Sequence, residues 1–490
     1  MKILLAAAEV SPFAKIGGLA DMTAALPKAW KAEGHDVVVV LPLYATIDKD
    51  RYKLQRLSDL VDVPFGSWTE YATVWRGTLP GTDVPVYFVA SSDYYERPGI
   101  YGYHEGFQDN DRRFIFLSRA AFEVCRAIDF APDVIHAHDY HTAPMMPMLK
   151  VLYRQDPLFC NTAGVFTIHN MAYQGMFDPA RAMEFCGFAA NEWHIGSWYE
   201  HQGAFNAMKA GIMFADKITT VSPTYAEEIR WTPEGHGMQS ALQMRGGDLI
   251  GVLNGIDTDE WNPVTDEHLP VRYSASQIDR KEANKQALLR TFELPDGERQ
   301  QDIPLIGMVT RLTEQKGIML ITEVLESFFQ NRDCRFVLLG SGESRFENYF
   351  KDVAYRYPHN ALIRIGYDAA LSHVIQAASD YYLMPSKFEP CGLTQMFALA
   401  YGTVPIVRST GGLADTVREY DPITFSGNGF TFQRLMADDL YTAIAEALRA
   451  YKREPHWTSL RINAMAQDFS IAGTARRYIE VFGWAQQSRR

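Results

Sequence analysis

Short continuous apolar runs alternate along most of the chain with longer stretches in which apolar positions recur every three to four residues. The first run, Lys2 to Val10, is continuous, as expected of a strand buried on both faces. A helical pattern follows to about Glu33, stops at Gly34, and hands over to a second apolar strand at Val37 to Leu41. Further strands are predicted at Val86 to Ala90, Val134 to His136, Val165 to His169, Ile218 to Val221 and Leu249 to Leu253, with helices between them such as Phe114 to Ile128 and Thr224 to Arg230. Beyond the turn signal Asn254-Gly255-Ile256-Asp257 and a polar run to Pro270, the alternation restarts. It gives strands at Leu305 to Thr310, Phe336 to Leu339, Leu362 to Ile365, Tyr382 to Met384 and Val404 to Val407. This order predicts an α/β fold of two doubly wound, Rossmann-like domains facing a central cleft. The expected boundaries are 1–253 and 254–467, and the last helical pattern, about Ile471 to Gln487 within 468–490, is expected to cross back to the first domain.

Composition agrees with two domains, since 490 residues exceed what one hydrophobic core usually organises. The formal charge of -12 argues against a nucleic-acid or anionic-membrane surface, so an anionic ligand must be met by a few local cations. The start, Met1 to Ala8, imitates a signal peptide, but Glu9 cuts the apolar run and Lys15 follows. No uninterrupted apolar stretch approaches the ~18 residues of a membrane span. Cys125, Cys160, Cys186, Cys334 and Cys391 are scattered and odd in number, which disfavours a disulfide framework and a zinc site and favours a reducing cytoplasm.

The candidate chemistry gathers where predicted strands end. At residues 384 to 394 a strand runs into Glu389, turns at Pro390 and enters a helical pattern opened by Cys391-Gly392-Leu393-Thr394. Amides at a helix start lack intrahelical acceptors and favour an anion. A carboxylate beside them suits a ligand that carries both a phosphate and hydroxyls, as a nucleotide sugar does. The plainer reading, in which Glu389 caps the helix and Pro390 occupies its first turn, stays open on this stretch alone. Arg311 and Lys316 follow another strand, one offering a fork to a diphosphate and the other a point charge. Tyr367, after a strand and a glycine, could stack on a base. In the first half Lys15 and the Gly17-Gly18 turn could approach a phosphate, although the pattern lacks the G-x-G-x-x-G of dinucleotide binders, which disfavours NAD and FAD. Asp139, His141, His169 and Asn170 also follow predicted strands. The pentapeptide Gly-Gly-Leu-Ala-Asp occurs at Gly17 to Asp21 and again at Gly411 to Asp415, which adds support for two similar halves.

Taken together, the chain resembles the bacterial and plant-type glycogen and starch synthases, ADP-glucose-dependent glycosyltransferases of the GT-B fold. The resemblance is carried by KIGGLAD (15 to 21), HAHDYH (136 to 141), VFTIHNMAYQG (165 to 175), ADKITTVSPTYAEEI (215 to 229), VLNGID (252 to 257), RLTEQKG (311 to 317), IGYDAALSH (365 to 373) and the stretch from Pro385 to Val417. It implies glucosyl transfer from ADP-glucose to the non-reducing 4-hydroxyl of an α-1,4-glucan with retention of configuration and without a metal or other cofactor. It further implies that Lys15, Gly17 and Gly18 approach the donor diphosphate and that Arg311 and Lys316 neutralise its leaving charge. By the same resemblance His169, Asn254 and Glu389 hold the glucosyl unit, Tyr367 flanks the adenine, the turn Cys391 to Thr394 takes phosphate oxygens, and Asp21 and Asp139 lie near sugar and acceptor.

Two positions and one stretch depart from the family pattern. Ile16 stands where Thr is usual, Lys387 where Arg is common, and Phe185 to Gln202 shows little of the pattern, which puts acceptor contacts there in question. Another retaining GT-B transferase with a different nucleotide sugar or a small acceptor is the nearest alternative, and a binding protein that has lost catalysis the more distant one.

Overall fold

The computed structural model describes residues 1–57, 60–103, 105–294, 302–330 and 334–489. It forms two compact units, Met1–Gly255 with Ile471–Arg490, and Ile256–Ser470.

The first unit is built on β1 (Lys2–Ala6), β2 (Asp36–Pro42), β3 (Pro85–Ala90), β4 (Val134–His138), β5 (Ala163–Ile168), β6 (Lys217–Thr220) and β7 (Leu249–Gly251). All are parallel, in the spatial order 3-2-1-4-5-6-7. Ile3, Leu4 and Leu5 are fully buried, as a central parallel strand covered on both faces requires. The helix α1 (Gly18–Ala32) makes the first crossover, which ends when Gly34 adopts φ 85°. The order of the strands reverses between β1 and β4, and in such sheets a crevice opens there at the carboxyl ends. An antiparallel extension absent from the sequence-based expectation continues the sheet beyond β3: Trp68–Thr78 pairs with β3, and Val61–Phe65 and Gln55–Arg56 pair with it in turn. The weakly patterned stretch from Phe185 to Gln202 contributes Glu200–His201 to a separate three-stranded antiparallel sheet with Met176–Phe177 and Ala204–Asn206.

In the second unit the parallel strands are β8 (Leu305–Val309), β9 (Arg335–Gly340), β10 (Ala361–Ile365), β11 (Tyr381–Met384), β12 (Val404–Arg408) and β13 (Phe430–Phe432). Their spatial order, 10-9-8-11-12-13, repeats the 3-2-1-4-5-6 arrangement, with the reversal between β8 and β11. Alternate residues sort to opposite faces: Ile306 and Met308 join a core with Phe336 and Leu338, whereas Leu305 packs with Val337 and Leu339. The short helices α2 (Thr394–Ala400) and α3 (Gly411–Thr416) follow β11 and β12. The chain then returns to the first unit through α4 (Ile471–Ser488), whose Ala475 carbonyl accepts from Trp30 Nε1 of α1 at 3.1 Å. Among the described residues no helix is long and apolar enough to cross a membrane.

Candidate active-site residues

In the second unit the reversal between β8 and β11 brings the loop after β8 against the loop after β11. The Lys387 amide donates to the Gln315 carbonyl at 2.8 Å. Gly317 packs so tightly on the Pro385 carbonyl that a Cβ there would lie 2.0 Å from the oxygen. This join sets Lys316 Nζ 2.6 Å from Glu389 Oε2, a pair with little exposure on either side, and Ser386 Oγ donates to the same oxygen at 3.0 Å. Arg408 Nε holds the loop from behind through the Ser386 carbonyl at 2.9 Å, and its Nη2 reaches the Lys387 carbonyl. Gly411 fits against the Glu389 carbonyl, where a Cβ would come within 2.0 Å.

The helix-cap reading of Glu389 is therefore corrected. The helix α2 starts only at Thr394, with Leu393 as its N-cap residue and no side chain capping it, so Pro390 lies outside its first turn. The carboxylate faces Lys316 instead of the helix amides. Those of Gly392, Leu393 and Thr394 have no acceptor among the described residues. Cys391 is buried, and Gln395 Nε2 shapes the turn by donating to the carbonyls of Cys391 and Gly392 at 3.1 and 3.0 Å. Arg311, five residues before Lys316 in the same loop, is exposed, and its guanidinium has no hydrogen bond or ion pair among the described residues. Tyr367, at the carboxyl end of β10, is 81% exposed. Its strand β10 lies at the edge of the sheet, two positions from β8.

In the first unit the crevice end of β1 carries Glu9, which the sequence reading treated only as an interruption of an apolar run. It is buried, and its Oε2 accepts from the amides of Ile16 and Gly17 at 2.6 and 3.1 Å while Oε1 accepts from Tyr101 Oη. Burial raises its pKa above the usual carboxylate range, against the effect of these donors. Glu9 thus holds the 15–18 loop by two amides, one of them belonging to Gly17. Open space faces Gly17, where a Cβ would meet nothing within 4 Å. Gly18 is the first residue of α1. Lys15 Nζ lies 2.6 Å from Asp21 Oδ1, and burial raises the Asp21 pKa although the lysine opposes it. Ile16 is 53% exposed on the same loop.

At the ends of β4 and β5, Asp139 Oδ1 accepts from the amides of His169 and Asn170 at 2.7 and 3.4 Å. Asp139 is buried in the left-handed region, φ 51°, and burial pushes its carboxyl up to about 7. Non-glycine residues held there are enriched at functional positions. His169 is half-buried, and its Nε2 lies 2.9 Å from His138 Nδ1. Desolvation lowers its pKa to about 3, so the ring is neutral at physiological pH. His141, by contrast, is packed between Tyr101, stacked at 4.7 Å, and Phe114, a core position. Asn254 lies in the first unit, its amide donating to the Val221 carbonyl at 3.3 Å, and its buried Oδ1 has no partner among the described residues. Of the residues the sequence singled out, three sets thus meet directly: Lys15 with Asp21, Asp139 with the His169 backbone, and Lys316 with Glu389. Glu9, Ser386 and Arg408 were missed, and only Glu9 left a signal, a carboxylate closing an apolar strand.

Residues 2–244 match a family model described as the starch synthase catalytic domain, and residues 290–459 one described as glycosyl transferases group 1. The chain is 44% identical to glycogen synthase 1 of Geobacter sulfurreducens, over 100% of this chain and 97% of the relative. Identity to the glycogen synthase of Thermosipho melanesiensis is 41% over the whole of both chains. Among solved structures, the catalytic domain of starch synthase IV from Arabidopsis thaliana, bound to ADP and acarbose, superposes with TM-score 0.90 at 37% identity and 99% coverage of each chain. A sucrose-phosphate synthase from Thermosynechococcus elongatus shares the fold at TM-score 0.61 and 16% identity, with 99% of this chain and 98% of that one covered.

Proposed function

The chain belongs to the glycogen and starch synthase family of glycosyltransferases, and we propose that it transfers glucose from ADP-glucose to the non-reducing 4-hydroxyl of an α-1,4-glucan, releasing ADP with retention of configuration. The observation that carries the donor-side reading is the Lys316–Glu389 pair at the β8–β11 reversal, Glu389 lying in the same loop as three amides without an acceptor among the described residues.

On this reading Arg311, Lys316 and the amides of Gly392, Leu393 and Thr394, in the turn opened by Cys391, receive the departing diphosphate. A nucleoside diphosphate is a good leaving group once its charge is met, so this step needs no carboxylic acid to protonate it. Two cations and three amides supply that charge, and the reading assigns no metal to it. The departing phosphate takes the proton of the attacking 4-hydroxyl on the face it leaves. Glu389 stabilises positive charge developing on the sugar, and His169 and Asn254 hold its hydroxyls. Lys15 would leave Asp21 to meet the diphosphate at the open face of Gly17, beside Gly18. Asp21 and Asp139 lie toward sugar and acceptor, and Tyr367 flanks the adenine. The bound ADP of the Arabidopsis structure supports adenine over uracil as the donor base, and its acarbose supports a glucan-like acceptor. The scattered cysteines support a cytoplasmic setting.

The test is a donor-by-acceptor panel: ADP-glucose and UDP-glucose, each with glycogen, maltooligosaccharides and small sugars. ADP release with glycogen and maltooligosaccharides is expected. UDP release with a small acceptor would assign the chain to another retaining transferase.

A further inference from the structure

We propose that His138 is a positioning residue that fixes the tautomer of His169, keeping its proton on Nδ1 so that the ring meets a sugar oxygen as a hydrogen-bond donor. The inference rests on the reading that His169 contacts the glucosyl unit. Because side chains alternate along β4, His136 and His138 share one face of the strand. Their rings lie 4.1 Å apart, and His136 is packed in turn against Trp30 of α1 and Tyr478 and Phe482 of α4. The His138 ring is thus backed by core and carries its Nδ1 2.9 Å from His169 Nε2.

Both rings are neutral, since burial lowers the His138 pKa well below its usual value and that of His169 to about 3. Two neutral imidazoles that share a hydrogen bond consist of one N–H and one bare nitrogen. If His169 Nε2 were the donor, the proton of His138 would have to sit on Nε2, a buried atom with no hydrogen-bond partner among the described residues. The opposite assignment, His138 Nδ1–H donating to bare His169 Nε2, leaves an unmatched acceptor there. Buried N–H groups without an acceptor are the rarer of the two in folded proteins. His169 is then protonated on Nδ1, the nitrogen not engaged by His138. The consequence is a neutral donor whose direction is set before any ligand arrives, at no cost in reorganisation.

The decisive measurement is the 15N spectrum of histidine-labelled protein, with the His169 ring assigned by its loss in His169→Ala. A protonated Nδ1 and bare Nε2 in the wild type are expected, and a protonated Nε2 would overturn the proposal. His138→Phe should lower kcat about tenfold or more while ADP affinity stays within about twofold, and His138→Asn, whose amide can replace the Nδ1–H, should restore most of the loss. An unchanged kcat in His138→Phe with an inactive His169→Ala would overturn the positioning role alone. Full activity in His169→Ala would instead overturn the contact on which it rests. Should His138→Phe fail to bind ADP, the wild-type spectrum and the asparagine variant decide.

Discussion

At the scale of single residues, the Lys316–Glu389 pair joins stability to chemistry. The two charges lie 2.6 Å apart with little exposure, so removing the lysine leaves a buried carboxylate unpaired, a loss of roughly 3–5 kcal/mol in stability. The catalytic effect is separable, because the charge that Lys316 would meet grows as the diphosphate departs. Lys316→Ala is expected to lower kcat by about 10² while KM for the donor changes far less, a split read from steady-state kinetics at a temperature where the variant is folded. A raised KM with unchanged kcat would place Lys316 in ground-state binding. Asp139 permits a second test. Its carboxyl titrates at about 7 in the folded chain against an ordinary 3.8, and the ionised form is the better acceptor for the His169 and Asn170 amides. Activity should therefore rise from pH 6 to 8, and Asp139→Asn should flatten that step. Stability runs the other way. Between about pH 4 and 7 the unfolded chain has lost this proton while the folded chain keeps it, so the contribution of Asp139 falls as pH rises and is fully lost above 7. The difference in melting temperature between Asp139→Asn and wild type should grow over that interval in favour of the variant.

At the scale of elements, the repeated Gly-Gly-Leu-Ala-Asp shows what a sequence pattern carries and what it leaves out. Both copies open a helix after a strand, as the pattern implied. They do not occupy equivalent places, however: one follows β1, the first strand of its sheet, and the other β12, the fifth. Nor are their glycines used alike. Gly17 is extended, φ -141°, and faces open space, whereas Gly411 takes φ 44° with the Glu389 carbonyl where its Cβ would be. Gly411→Ala is expected to lower the melting temperature by about 4–8 °C, from roughly 2 kcal/mol of strain in a unit of this size, while Gly17→Ala leaves it near the wild-type value. Calorimetry of both variants checks this, and equal shifts would show that the two turns are interchangeable. The strands and long helices were legible because buried parallel strands are continuous apolar runs and amphipathic helices have their own period. The antiparallel strands Val61–Phe65 and Trp68–Thr78 were not, since Asp62, Pro64, Glu70 and Arg76 break the apolar pattern of strands that are half exposed. The loop after β11 was located from sequence, but the contacts that place Glu389 were not. Ser386 donates its hydroxyl to the carboxylate, Arg408 holds the Ser386 carbonyl, and the Gln315 carbonyl accepts the Lys387 amide across the loop-to-loop join, none of which a periodicity records.

At the scale of the whole molecule, the chain leaves its first unit at Gly255, builds the second as one continuous segment, and returns to the first at Ile471. That return is a structural commitment, because α4 supplies part of the first unit's core. Ala475, Tyr478, Val481, Phe482 and Ala485 are buried, and the helix covers Trp30 and His136. At about 1.5–3 kcal/mol for each large apolar side chain, Tyr478, Val481 and Phe482 alone contribute on the order of 5–9 kcal/mol. A domain's net stability is typically only about 5–15 kcal/mol. A chain ending at Ser470 should therefore lose or strongly lower the unfolding transition of the first unit, while the second unit, from which the cut removes nothing, keeps its own. Differential scanning calorimetry of the truncated and full chains distinguishes the outcomes. If both transitions stay where they are, α4 is an appendage and His136 and His138 owe nothing to it. If the first is lost, the last helix is a condition for the histidine column behind His169, and a cut far along the chain from His169 abolishes activity through folding.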